Sequence, residues 1–133
     1  MKNVNLLKFK SHGNEINGFL TAYEANTGVP FEIKRVYTVT GGEENNKRGF
    51  HAHKELEQIF IALQGTLIVE CEDLDGNTET YELNGAENAL YCGPEVWHTL
   101  IYKDNAILMV LASDSYQESD YVRNYDDFKQ MKK

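Results

Sequence analysis

The sequence predicts an all-β domain, a small barrel or jelly roll of antiparallel strands followed by a short C-terminal helix. From Phe31 onward, short runs of β-branched and aromatic residues alternate with Gly, Asn and Asp, which is typical of strands joined by turns. No long amphipathic segment could serve as a crossover helix, so a parallel sheet is disfavoured. A chain of 133 residues with 41% hydrophobic content can form one core, and we expect a single domain over residues 1–133.

The predicted elements follow in chain order. Two strands at 4–9 and 19–23 precede the main β region, whose strands are predicted at 31–38, 58–63, 66–71, 78–83, 89–92, 97–102 and 107–111. Asp75-Gly76 is a hairpin signal, and Gln64-Gly65 is a second candidate for a tight turn. After residue 112 the chain becomes rich in Ser, Asp, Tyr and Glu, and residues 125–131 are expected to form the helix.

Composition also bounds the partners and the location. A net charge of −8 argues against binding to nucleic acids or anionic membranes, which is driven by basic surfaces. The apolar runs are too short to cross a bilayer and no signal peptide is recognisable, so we expect a cytoplasmic protein. Cys71 and Cys92 lie in strand-like runs without a CxxC motif, which predicts two buried, reduced thiols.

Two histidines one residue apart, His51 and His53, are the most informative chemical feature. In an extended strand, residues i and i+2 face the same side, so both imidazoles should project into one cavity. Such a pair suits either metal binding or proton transfer near neutral pH. Barrel mouths commonly hold small ligands, which places the candidate site inside the barrel.

Metal binding is weakened by one position. Small metal-binding barrels carry HxH, a following Glu, a Gly and a later His, and here His51, His53, Gly65 and His98 match this pattern. The acid is expected where Gln58 stands, while Glu57 is one step away and would face the opposite side of a strand. A neutral amide is a poor substitute for a carboxylate ligand, although a three-histidine site stays conceivable.

Basic residues cluster around the histidine segment of this acidic chain. Arg35 and Arg48 lie close to aromatic residues and to the histidines, which favours a local anion site.

Five segments together resemble the nucleotide-sugar 3,4-ketoisomerases of the cupin superfamily. They are RVY at 35–37, RGFHAHK at 48–54, YCGPEVWH at 91–98, VLASD at 110–114 and ESDYVRNYDDF at 118–128. The resemblance spans nearly the whole chain. It implies a metal-independent jelly-roll enzyme without a cofactor, forming a homodimer with exchanged N-terminal strands.

Enzymes of this family convert dTDP-4-keto-6-deoxy-D-glucose into a dTDP-3-keto-6-deoxyhexose, a precursor of amino sugars in surface glycans or glycosylated natural products. The resemblance therefore implies proton abstraction at C3, an enediol, and reprotonation at C4, with the galacto product favoured. His53 is the first choice of base with His51 as its relay partner, but the sequence leaves their order open. Tyr37 is expected to supply or orient a proton at the enediol oxygen.

The remaining assignments concern substrate binding. We expect Arg35 and Arg48 to pair with the diphosphate, His98 to contact the hexose, and Trp97 and Tyr91 to contact the sugar or thymine. Arg123 is expected to form a structural ion pair. Asn17 stands where related sequences can carry an arginine or tyrosine near the sugar, which leaves the product epimer open.

Two other functions remain as alternatives. One is a metal-dependent cupin oxygenase that uses His51, His53 and His98 as ligands, and the other is a non-catalytic module that binds a sugar nucleotide.

Overall fold

The computed structural model describes residues 1–132, and strands dominate it as the sequence predicted. The strands are β1 (Val4–Lys8), β2 (Ser11–Asn14), β3 (Gly18–Thr21), β4 (Glu24–Ala25), β5 (Gly28–Val29), β6 (Arg35–Val39), β7 (Asn46–His53), β8 (Gln58–Glu72), β9 (Thr78–Cys92), β10 (Trp97–Ala112) and β11 (Tyr121–Val122). A 3-10 turn at Glu118–Asp120 precedes β11, and helix α1 (Tyr125–Lys129) follows it. Residues 1–132 contain no helix that is long and apolar enough to span a bilayer.

One antiparallel sheet organises the domain. Its strands lie in the order β1-β9-β8-β10-β7-β11, and β6 pairs with the far end of β10. The first half of β10 therefore lies between β8 and β7, whereas its second half, at Leu108–Ala112, lies between β8 and β6. This change of partner wraps the sheet around an apolar interior, the arrangement expected of a jelly roll.

The three longest strands are longer than the sequence predicted. The predicted turn at Gln64-Gly65 is wrong, because β8 continues through both residues. Its pairing with β9 shifts register between Ala62 and Leu67. Gly65 has φ of 70°, and a Cβ there would lie 2.6 Å from the carbonyl oxygen of Asp104. The glycine therefore bends the strand at a close backbone crossing, where a sequence pattern alone suggests a chain reversal.

Other local predictions are confirmed. Asp75-Gly76 lies in the turn between β8 and β9, where the Gly76 N–H donates to the Asp73 carbonyl oxygen. The C-terminal helix begins after Asn124, whose side chain accepts from the Asp127 N–H, and it ends at residue 129 instead of 131. Cys71 and Cys92 are free and buried.

Alternation along the strands separates two apolar layers. The interior of the wrapped sheet contains one cluster that includes Phe60, Val69, Leu90 and Leu100. The second cluster includes Ile59, Ile61, Ala89 and Leu111 and is covered by Phe9, Val29 and Phe31 from the N-terminal segment. Neighbours such as Ile59 and Phe60 thus face opposite layers, as the twofold period of a strand requires.

Candidate active site

A β-bulge in β7 brings the histidines and an arginine to one side of the sheet. His51 pairs with His98 and Gly49 pairs with Thr99, so Phe50 is an extra residue in β7. Gly49 and Phe50 have φ of 99° and 59°. The extra residue reverses the alternation. Arg48 consequently lines the same cavity as His51, although residues three positions apart face opposite sides of a regular strand.

Two cavities adjoin the histidines. The inner cavity, of about 320 Å³, lies inside the wrapped sheet and is lined by residues that include Arg35, Tyr37, Arg48, His51, His98, Tyr102, Tyr116, Tyr121 and Arg123. The outer cavity, of about 430 Å³, is lined by His53, Lys54, Asp120 and a serine-rich part of the tail. Arg35 and Tyr121 line both cavities, so the two spaces share a wall.

The three imidazoles lie in direct contact. The ring centroids of His51 and His53 are 5.0 Å apart, and those of His51 and His98 are 4.7 Å apart. His53 and His98 are buried, whereas His51 is half-buried and lines the inner cavity. The two rings contact each other as predicted, but they do not line one cavity: His51 lines the inner cavity and His53 the outer one. His51 is the more accessible of the two.

Oxygen acceptors fix the tautomer of all three rings. The Nδ1–H of His53 donates to Asp120 Oδ2 at 3.1 Å, that of His51 to the Gly49 carbonyl at 3.1 Å, and that of His98 to the Val96 carbonyl at 3.2 Å. A carbonyl or carboxylate oxygen can only accept, so the proton resides on Nδ1 and Nε2 carries a lone pair. The buried Nε2 of His53 has no hydrogen-bond partner among residues 1–132.

Burial keeps these imidazoles neutral. It lowers the pKa of His51 to about 4, with the neighbouring His53 adding to the effect. Burial also holds the pKa of His98 well below its usual value. The pKa of His53 is lowered by burial as well, but the Asp120 carboxylate opposes that shift. His53 is therefore the ring whose protonated form has a counter-ion at hand.

The same rings are the residues that could hold a metal ion. One ring nitrogen from each of His51, His53 and His98 lies within 4.8 Å of the others. Neutral imidazoles with Nδ1–H held by an oxygen fit a transition metal, for which that arrangement is common. The side chain at the expected acid position fits less well, because Gln58 is an amide and its Nε2 donates to Tyr37.

Hydrogen-bond donors line the inner cavity together with His51 and His98. Tyr37 is half-buried, and its Oη accepts from Gln58 Nε2 at 2.9 Å. Burial raises the pKa of Tyr37 to about 12, so the phenol stays protonated at neutral pH. The guanidinium of Arg35 lies 5.1 Å from the centroid of the Tyr37 ring, and Arg48 lines the same cavity. Arg35 and Arg48 are thus both brought to the histidines.

Three predicted site residues line neither the inner nor the outer cavity. Trp97 packs against Tyr125 and Phe128, because it faces the side of β10 opposite to His98. Tyr91 lies with the outer apolar layer, and its hydroxyl donates to Glu57 Oε1 at 2.7 Å. Glu57 is thereby aimed away from the histidines, in agreement with the one-step argument from the sequence.

The third of these residues, Asn17, lies at the tip of the β2–β3 hairpin. It is exposed, and its backbone N–H donates to Asn14 Oδ1 at 2.8 Å. The hairpin pairs only with itself in sheet topology, so Asn17 is not held against the cavity of its own chain.

The tail contributes two residues to which the sequence analysis gave no role, Asp120 and Tyr121. Asp120 accepts from His53 and also from the backbone N–H groups of Glu55 and Leu56. Tyr121 contacts both His51 and His53, with ring centroids 5.0 and 4.5 Å away. Arg123 forms the predicted structural ion pair, with Glu118 at 2.7 Å, and also lines the inner cavity. These residues belong to the segment ESDYVR at 118–123, whose family resemblance was the only feature of the sequence that pointed to them.

Comparison with known proteins gives a consistent result. The FdtA family model, described as WxcM-like, C-terminal, matches residues 2–133. The TDP-4-oxo-6-deoxy-alpha-D-glucose-3,4-oxoisomerase of Aneurinibacillus thermoaerophilus is 45% identical over 114 residues, which cover 84% of this chain and 81% of that protein.

Solved structures agree over almost the full length. A histidine-to-asparagine variant of the 3,4-ketoisomerase QdtA from Thermoanaerobacterium thermosaccharolyticum, in complex with TDP-4-keto-6-deoxyglucose, is 38% identical, covers 98% of this chain and 94% of that chain, and superposes with a TM-score of 0.93. The TDP-quinovose 3,4-ketoisomerase WlaRB from Campylobacter jejuni is 40% identical, with coverage of 98% and 99% and a TM-score of 0.91. This chain therefore belongs to the FdtA family, the sugar-nucleotide 3,4-ketoisomerases that its motifs resemble.

Proposed function

We propose that this protein is an isomerase that converts dTDP-4-keto-6-deoxy-D-glucose into a dTDP-3-keto-6-deoxyhexose. The observation that carries the proposal is the inner cavity, where imidazoles with unprotonated Nε2 atoms face a protonated phenol and two arginines. A cavity that holds both proton acceptors and hydrogen-bond donors is what a ketone migration needs. The names of its relatives, a 3,4-oxoisomerase and two 3,4-ketoisomerases of TDP sugars, agree with this substrate class.

The reaction is a balanced proton transfer. A base removes the proton from C3, whose acidity comes from the neighbouring C4 carbonyl, and the electron pair forms a C3–C4 double bond while the C4 oxygen takes up a proton. The resulting enediol then loses the proton of its C3 hydroxyl, C3 becomes the carbonyl carbon, and C4 accepts a proton. No electrons leave the substrate, so the steps require only acids and bases.

The two histidines divide this work according to their positions. We assign the first step to His51, because it lines the inner cavity and is the more accessible ring, and geometry precedes pKa in identifying a base. His53 stores a proton as an imidazolium beside Asp120 and supports the return of a proton to C4. This order reverses the one preferred from the sequence, where accessibility could not be known.

The other cavity residues bind the substrate. Arg35 and Arg48 are suited to the diphosphate, since a guanidinium can donate two parallel hydrogen bonds to phosphate oxygens. His98 carries its proton on Nδ1, so its Nε2 would accept a hydrogen bond from a hexose hydroxyl. Tyr37 donates to the oxygen that becomes negatively charged.

We also propose that the reaction needs no metal ion and takes place in the cytoplasm. The histidine cluster lacks a carboxylate at position 58, and a base that is bound to a metal would lose the lone pair needed for C3. Free thiols at Cys71 and Cys92 suit a reducing compartment.

The active unit is proposed to be a homodimer with exchanged N-terminal strands. The β2–β3 hairpin leaves large apolar side chains exposed, including Ile16 (94%), Phe19 (64%) and Leu20 (62%). Large apolar side chains exposed to this degree favour burial in an interface. An exchanged hairpin would also carry Asn17 towards the cavity of the partner subunit.

Isomerisation in deuterated water tests the function and the division of roles. The wild type should incorporate deuterium at C4 as the 3-keto product forms, and it should also exchange the C3 proton of recovered substrate. His51→Asn should abolish C3 exchange, because the base is lost. His53→Asn should retain C3 exchange but form product at a rate lower by about 100-fold or more. Proton NMR follows both positions and also identifies the C4 epimer.

Absence of isomerisation by folded wild-type protein that binds TDP would refute the enzyme and leave the sugar-nucleotide binding module. Loss of C3 exchange in His53→Asn, with retention in His51→Asn, would restore the opposite order. Activity that disappears with a chelator and returns with one metal ion would favour a metal-dependent reaction.

The pH dependence of kcat/KM follows from the lowered pKa of His51. A base must be neutral, and a group with a pKa of about 4 becomes protonated only as the pH falls through that region. We therefore expect kcat/KM to be flat between about pH 6 and 8 and to fall at lower pH. Steady-state rates in a constant-ionic-strength buffer series provide the measurement, and an acid limb at or above the ordinary histidine pKa would contradict the assignment.

The dimer is tested by light scattering after size-exclusion chromatography. The wild type should elute with twice the mass of one chain, whereas Phe19→Asp should elute as a monomer because it places a charge in the proposed interface. Leu63→Asp alters an exposed apolar residue outside the hairpin and serves as the matched control. A wild-type monomer, or a Phe19→Asp dimer as stable as the wild type, would exclude the exchanged hairpin.

A further inference from the structure

Gln58 is a buried polar residue whose presence calls for an explanation. It is the first residue of β8, it is 2% exposed, and its Oε1 has no hydrogen-bond partner among residues 1–132. An unsatisfied buried amide oxygen costs stability that an apolar side chain of similar size would not. The one hydrogen bond that the side chain does make is the 2.9 Å bond from Nε2 to Tyr37 Oη.

That bond decides what the Tyr37 hydroxyl can do. A phenol has a single proton to donate and an oxygen that can accept. Because the amide N–H of Gln58 donates, Tyr37 uses its oxygen as the acceptor and keeps its own proton available. The hydrogen bonds among residues 1–132 include none in which Tyr37 donates that proton, and Tyr37 lines the inner cavity together with His51 and His98.

We propose that Gln58 is a positioning residue that keeps Tyr37 a hydrogen-bond donor towards the sugar oxygen on which negative charge develops. This inference rests on the proposed ketoisomerase function and extends it to a residue without substrate contact. A carboxylate at position 58 could only accept, so it would take the Tyr37 proton for itself and leave the developing enolate without its donor. The amide at position 58 thus has a role in the reaction that an apolar side chain could not fulfil, because it donates a hydrogen bond to Tyr37.

The burial of Tyr37 supports the same role. Its pKa of about 12 keeps the proton on the phenol throughout the working range of the enzyme. A preorganised donor aimed at a developing oxyanion gains most of its effect in the transition state. Disturbing the donor should therefore lower kcat and leave ground-state binding of the nucleotide nearly unchanged.

A double-mutant cycle tests the proposal. Gln58→Glu retains the shape of the side chain but removes the donor, and we expect kcat to fall about 100-fold near pH 8 while the affinity for TDP stays within about twofold of the wild type. In a Tyr37→Phe background the same substitution should change kcat by less than about twofold, because its effect passes through Tyr37. The relative kcat of Gln58→Glu should recover as the pH falls, since a protonated carboxyl can donate again.

Gln58→Met is a second variant that also removes the donor but introduces no charge. It tests the same role if Gln58→Glu does not fold. It should also lower kcat in the wild-type background and have little effect beside Tyr37→Phe. Equal losses in both backgrounds, or wild-type kcat for either Gln58 variant, would overturn the positioning role while leaving the isomerase intact. Failure of the wild type to isomerise the sugar would instead remove the proposed function, and this inference with it.

Discussion

Three oxygen acceptors hold the Nδ1–H groups of His51, His53 and His98, and the chemistry of the site depends on them. One acceptor is the Gly49 carbonyl within β7, the second is the Val96 carbonyl just before β10, and the third is the carboxylate of Asp120 in the tail. With every Nδ1 occupied, each ring has its lone pair on Nε2. The histidines therefore enter the reaction as bases and acceptors, and the donors must come from other residues.

Other residues that line the inner cavity supply the donors. The O–H and N–H groups belong to Tyr37, Arg35 and Arg48. The Gln58 amide donates to the Tyr37 oxygen, so the Tyr37 proton stays available for the substrate. A cavity with both acceptors and donors lets a proton leave one carbon and return to the next without a redox partner. A metal ion would compete for the same Nε2 lone pairs. The amide at position 58 therefore has two effects: it removes the carboxylate ligand that would favour a metal ion, and it keeps Tyr37 a hydrogen-bond donor.

The sequence predicted the strand content, the contact between the His51 and His53 rings, and the orientation of Glu57 away from the histidines. Each of these depends on the twofold period of a strand. It did not predict the course of β8, since a glycine at a close crossing has the same pattern as a turn glycine. The placement of Arg48 depends on the bulge at Phe50, which reverses that period. Asp120 reaches His53 from 67 residues away, and no local pattern encodes such a distance.

The tautomer of the histidines is the most direct test of the account. Long-range proton–nitrogen NMR spectra of ¹⁵N-labelled protein at neutral pH distinguish a protonated Nδ1 from a protonated Nε2. The account predicts that His51, His53 and His98 are all neutral with the proton on Nδ1, and that Asp120→Asn alters the His53 signals while leaving those of His98 in place. A protonated Nε2 on His51 in the free enzyme would contradict this assignment, because that nitrogen could not accept the C3 proton. A neutral His53 with its proton on Nε2 would contradict it as well, because Nδ1 could not then donate to Asp120.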